Sequence, residues 1–137
     1  MQKIYFIIQC LIVSLVFFHE TLFSQDIEIT SEGEIRSFKI NLPDDTDELL
    51  PLIILMHGLG ETNSNMYGVA NYFSNRSFIA VRPQSGSYLN SSGSGYTTLW
   101  NALADTQKFD DVKFISDVID YMLINYDFVD HDRIYAV

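Results

Sequence analysis

The sequence predicts an α/β fold, an open sheet that starts antiparallel and continues as parallel strands joined by crossover helices. Three observations carry that reading. Two alternating segments, residues 26–30 and 35–42, open the globular part. The run 52–56 is apolar without alternation, as in a strand covered on both faces. Two later segments repeat apolar residues at helical spacing between further apolar runs. At 137 residues the chain holds one domain, and its formal net charge of −10 gives it an acidic surface. Eight Lys and Arg against eighteen Asp and Glu, with no basic cluster, leave nothing to neutralise a phosphate backbone, so nucleic acid is not an expected partner.

Residues 1–24 read as a secretory signal peptide. Lys3 supplies the positive end, residues 4–18 the apolar run, and His19, Glu20 and Thr21 close it before a small residue, Ser24. A spanning helix needs about 20 apolar residues, more than this run offers. Cleavage after Ser24 therefore implies a secreted, extracellular or periplasmic protein with no stable membrane anchor. It removes Cys10, the one cysteine, leaving no disulfide, cysteine zinc site or redox pair.

Residues 25–137 form the single globular unit. Residues 26–30 and 35–42 are two antiparallel strands around Ser31, Glu32, Gly33 and Glu34. Pro43 to Glu48 is a solvated connection, and Asp44, Asp45, Asp47 and Glu48 lack the spacing and glycine of a calcium loop. After the buried strand 52–56, residues 63–74 place Met66, Val69, Ala70 and Phe73 on one helical face. Residues 78–81 are a second buried strand, stopped by Pro83. Residues 84–98, rich in Ser and Gly, read as a long surface loop without regular structure. Asp110 and Asp111 offer an N-cap to a helix whose buried face is Val112, Ile115, Ile119, Met122, Leu123 and Tyr126. A last strand begins at Arg133. In such a sheet the functional crevice lies beyond the carboxyl ends of the strands.

The sharpest local feature is the strand Leu52-Ile53-Ile54-Leu55-Met56 running into His57-Gly58-Leu59-Gly60-Glu61. Here the chain resembles the α/β-hydrolases, in which a His-Gly turn after the third strand supplies one backbone N–H of the oxyanion hole. The resemblance implies Leu59 N–H as that donor, Gly58 as the residue permitting the turn, and His57 as a support for the loop rather than a base. It extends through Ser77 to Gln84, Trp100, Asp111 to Ile115, and Tyr126 to Val137, which together look like the secreted polyhydroxybutyrate depolymerase and feruloyl-esterase branch. That branch implies a serine carboxylic-ester hydrolase acting through an acyl-enzyme on polymer-linked or polyester substrates, without a cofactor.

In that branch a strand like Arg133-Ile134-Tyr135-Ala136-Val137 leads into G-x-S-x-G. No two of the seven glycines here stand four apart, so this motif is not in the sequence. The resemblance makes residues 25–137 the N-terminal, incomplete portion of an α/β-hydrolase catalytic domain, with the nucleophile, acid and histidine beyond Val137, and the 137 residues alone are expected to be inactive and to fold poorly. No other arrangement substitutes for them. His131 precedes its strand while His57 follows one, a separation of about 17 Å over a five-residue strand. Ser85, Ser87, Ser91, Ser92 and Ser94 thus have no base partner and read as loop solvation. Asp130-His131-Asp132 reads as a turn rather than a metal site. Trp100, Tyr88 and Tyr96 either line a substrate pocket or pack in part. A serine peptidase of the prolyl-oligopeptidase kind and a non-catalytic secreted binding module are the alternatives.

Overall fold

The computed structural model describes residues 25–89, 92–101 and 109–137. The predicted signal segment, with Cys10 and Ser24, lies outside them, as does Ser91. Strands β1 (Gln25–Ser31) and β2 (Glu34–Asn41) pair antiparallel from Gln25↔Ile40 to Ser31↔Glu34. Glu32 and Gly33 join them at φ 51° and 83°. Two consecutive left-handed residues make the tight hairpin turn whose twist matches the flanking strands. Strand β3 (Leu50–Ile54) is buried along its whole length, as its unbroken apolar run requires.

A 3-10 turn at Asn63–Met66 leads into helix α1 (Tyr67–Ser74), followed by β4 (Ile79–Pro83). A hairpin of β5 (Gly86–Leu89) and β6 (Tyr96–Leu99) comes next. Helix α2 (Asp111–Asn125) and strand β7 (Val129–Ala136) complete the described order. The five-stranded sheet runs β1-β2-β4-β3-β7, with β3 parallel to both β4 and β7 and β2 antiparallel to β4. Among the described residues no helix is long and apolar enough to cross a membrane.

This order reverses the direction of connection. The chain steps one way from β3 to β4 and the other way from β4 to β7, so right-handed crossovers put α1 and α2 on opposite faces. The core divides accordingly. Phe114, Val118 and Met122 of α2 pack with Phe38, Ile40, Leu52, Ile79 and Val81 on one face. Ala70 of α1 packs with Ile53, Leu55 and Ala80 on the other, flanked by Met66, Phe73 and Phe78. The two-residue period of a strand sends Leu52 and Ile53 to different faces. Each fully buried side chain of this size contributes about 2 kcal/mol.

Four elements differ from the sequence reading. Residues 84–98 are not an irregular loop, because β5 and β6 pair antiparallel, with Tyr88 and Thr97 opposite one another and Leu89 opposite Tyr96. Gly86 opens this ribbon where the Phe109 ring passes; a Cβ there would lie 2.3 Å from it. Pro83 does not stop β4 early, since it pairs with Phe38 at the strand end, and Gln84 N–H continues the ladder to Ser37 O. The buried stripe of α2 is Phe114, Val118 and Met122, one step round from the expected face, and Val112 is 84% exposed. Both stripes are apolar, so periodicity alone could not choose between them. Strand β7 begins at Val129: its register against β3 jumps from Leu50↔Val129 to Leu52↔Ile134, and the surplus residues, including Asp130, His131 and Asp132, form a bulge.

Candidate active site

Loops from β3 and β4 leave the sheet side by side and lead to helices on opposite faces, and the crevice between such loops is where open α/β sheets bind ligands. The β3 loop carries His57, Gly58, Leu59, Gly60 and Glu61; the β4 loop begins at Gln84. His57 is 2% exposed. Its Nε2 accepts the Ser85 N–H at 3.1 Å. A backbone N–H can only donate, which leaves the ring proton on Nδ1, donating to Gly58 O at 2.9 Å. Gln84 adds a second donor to Nε2 at 3.1 Å. Its amide orientation is set because Oε1 accepts Asn63 N–H at 2.9 Å. With both nitrogens engaged, His57 holds the β3 turn to the β4 loop.

Trp100 holds the same turn from the other side. Its Nε1 donates to His57 O at 2.8 Å, and its ring meets the imidazole at a tilt of 41° with centroids 5.2 Å apart. Strand β6 adds two bonds: Gly60 N–H donates to Thr98 O at 2.8 Å, and Thr98 Oγ1 donates to Glu61 O. Inside the turn, Gly58 N–H donates to the Glu61 carboxylate at 2.9 Å and Glu61 N–H to Gly58 O at 3.2 Å. Of the N–H groups from Gly58 to Glu61, Leu59's is the one with no acceptor among the described residues. Leu59 itself is 69% exposed.

The three aromatic residues do not come together. Trp100 borders an apolar cavity of about 550 Å³ with Met56, Val112 and Ile115. Tyr88 is buried edge-on against Phe109, its hydroxyl without a partner among the described residues, and burial first and Asp111 second push its pKa up. Tyr96 points from the outer side of the hairpin, 74% exposed. Ser85 is buried, but its Oγ donates to Gly86 O at 3.4 Å and makes no bond to His57. Ser92 and Ser94 bond each other at 2.7 Å. His131 stands at the amino end of β7, opposite in sense to His57. Asp130, His131 and Asp132 bring ligand atoms within 4.8 Å of one another. Asp130, however, already accepts Arg133 Nε at 2.5 Å and Asp132 N–H at 3.0 Å, bonds that hold its carboxyl below the usual carboxylate range.

Several contributors were not singled out from sequence. Glu61 caps the turn, Gln84 bridges loops, and Arg82, fully buried, donates to Asn41 Oδ1 at 2.8 and 3.1 Å and to Asn63 O at 3.1 Å. Burial lowers the Arg82 pKa, offset in part by Tyr67 and Asp26. A charged residue at the end of a buried strand was the one available signal for Arg82. For Glu61 and Gln84 there was none.

No protein-family model matches the sequence, and no curated protein does. Solved structures do. S-formylglutathione hydrolase from Staphylococcus aureus is 15% identical with a TM-score of 0.59, over 82% of this chain and 45% of that one. A CE1 ferulic acid esterase from Anaeromyces mucronatus is 16% identical with a TM-score of 0.52, over 82% of this chain and 47% of that one. An acylaminoacyl peptidase from Pyrococcus horikoshii is 16% identical with a TM-score of 0.58, over 90% of this chain and 20% of that one. The chain thus has part of the α/β-hydrolase fold, and it spans half or less of each of these proteins.

Proposed function

We propose that the chain supplies the oxyanion-stabilising part of a secreted serine ester hydrolase, acting through an acyl-enzyme on polymer-linked or polyester substrates. One observation carries the reading: at the carboxyl end of β3, in a turn whose other N–H groups are satisfied, Leu59 N–H is left without an acceptor among the described residues. An acyl-transfer intermediate concentrates charge on one oxygen, and a fixed donor about 3 Å away lowers the barrier by roughly 3 to 4 kcal/mol. Gly58 lets the turn close on Glu61, and His57 fixes its position. On this reading the chain supplies the oxyanion donor, and the nucleophile, its base and the acid are not among its described residues; the chain spans 45% and 47% of two of the neighbours. The polymer substrate rests on the sequence resemblance, and the secreted location on residues 1–24.

The test is hydrolysis of p-nitrophenyl and feruloyl esters by the protein encoded by the whole reading frame. Expected are a burst of phenolate and loss of about a hundredfold or more in kcat for Leu59→Pro, which removes the N–H, against little change for Leu59→Ala. Full activity in a folded Leu59→Pro protein would sink the assignment. The peptidase likeness supports a second reading, cleavage of acylated or proline-containing peptides; a preference for these over esters would select it.

A further inference from the structure

We propose that the buried ion pair Arg36–Asp111 is a positioning device for the oxyanion turn, acting through both ends of the segment from Gln84 to Asn101. Arg36 follows the inward parity of Phe38 and Ile40 on β2, which carries its guanidinium to the start of α2. Its Nη2 donates to Asp111 Oδ1 at 2.7 Å and to Gln84 O at 3.1 Å. The two side chains are 6% and 10% exposed. The guanidinium also lies over the Phe114 ring, 4.0 Å from its centroid, and 5.2 Å from that of Phe109. The second Asp111 oxygen accepts the Asn101 N–H, while Asn101 Nδ2 donates to Phe109 O at 2.7 Å.

One ion pair therefore grips the segment at Gln84, where it leaves β4, and at Asn101, where it touches the first turn of α2. The residues at those two ends are the ones that hold His57: Gln84 and Ser85 at Nε2, Trp100 at the carbonyl oxygen and the ring face. Asp111 stands in the first turn of α2, where a carboxylate suits the helix dipole, so the anchor is fixed on a rigid element. Loosening the pair lets both grips move, and the Leu59 N–H moves with the turn. Neither residue reaches the reacting atoms. Their part in catalysis rests on the ester-hydrolase reading above; the mechanical coupling does not.

The experiment uses Arg36→Lys and Asp111→Asn in the protein, with Val118→Ala as a control that loosens α2 without touching the pair. Trp100 fluorescence, isolated as the difference from Trp100→Phe, reports the indole's contact with His57. Expected is a red shift in both pair variants, absent from Val118→Ala even where its melting midpoint falls as far. On a chromogenic ester, kcat falls by roughly tenfold to a hundredfold, as misplacing a catalytic group by about 1 Å does, with KM unchanged. An unmoved Trp100 spectrum in folded Asp111→Asn, or an equal shift in Val118→Ala, overturns the coupling. Absence of ester hydrolysis in the parent protein defeats the functional reading instead, and the fluorescence arm still decides this one.

Discussion

The two histidines of the globular unit stand in regions built on opposite principles. At the carboxyl end of β3, His57 is buried and its partners come from residues 84, 85 and 100, so separate stretches of chain meet on one ring. At the amino end of β7, His131 lies in an exposed bulge where Asp130 takes its bonds from Arg133 and Asp132 N–H, both within a few residues, and one bond reaches further, from Arg133 Nη2 to Leu49 O at 2.7 Å. Composition makes the second cluster look more like chemistry. Yet long-range, desolvated bonds define a geometry, whereas local ion pairs in water leave one free to change.

Breaking an ion pair in each region should give the largest contrast. Arg36→Ala strands Asp111 in a buried site and should cost about 3 to 5 kcal/mol in denaturant unfolding. Arg133→Ala, which breaks a partly exposed pair and one bond to Leu49 O, should cost no more than about 1 kcal/mol. Next comes His57→Asn, which removes the acceptor of Ser85 N–H and should cost about 2 kcal/mol. On the ester-hydrolase reading the pH–rate profile should keep its shape, and loss of a titration step in a folded variant would mean that His57 acts as the base. His131→Asn should change neither quantity.

The smallest effects sharpen the contrast with pH. Burial raises the Tyr88 pKa above the ordinary 10.0, so the stability it contributes is present below that value and is lost as pH climbs through the raised one. Tyr88→Phe should flatten the alkaline arm of the melting curve. Because the hydroxyl is buried with no partner among the described residues, removing it in Tyr88→Phe should also stabilise the protein by about 1 kcal/mol at neutral pH. Asp117 runs the opposite way. Bonds from Lys113 and Ser31 hold its pKa below the usual 3.8, so its contribution is present above that value and disappears as pH falls through the lowered one. Asp117→Asn should therefore flatten the acid arm.

The strand into the His57 turn could be read directly, because an unbroken apolar run ending in His-Gly admits few other structures. The α2 cap could be read too: Asp110 accepts Lys113 N–H at 2.8 Å, the bond its side chain is suited to make. The β5–β6 hairpin could not, since its inward residues are Gly86 and Tyr88 and they pack on Phe109, more than twenty residues from the hairpin's first residue. The face of α2 was ambiguous for a similar reason, with two adjacent apolar stripes and one sheet to choose between them. Around the site the turn was legible and its grip was not. Gln84, Glu61 and Arg36 are ordinary polar residues whose partners lie far along the chain or depend on the turn having closed.

Arg36, enclosed between Phe114, Phe109 and Asp111, also separates two responses to ionic strength. Exposed charges more than about 10 Å apart are screened at 0.1 M salt, while a desolvated pair is hardly touched. With a formal net charge of −10, the molecule gains stability as salt damps its self-repulsion, even as the exposed Lys39–Asp26 pair weakens. The enclosed pair keeps its strength throughout. Salt should then raise the melting temperature while leaving the Trp100 environment unchanged, so the shape of the turn is insulated from an ionic environment to which the rest of the surface responds.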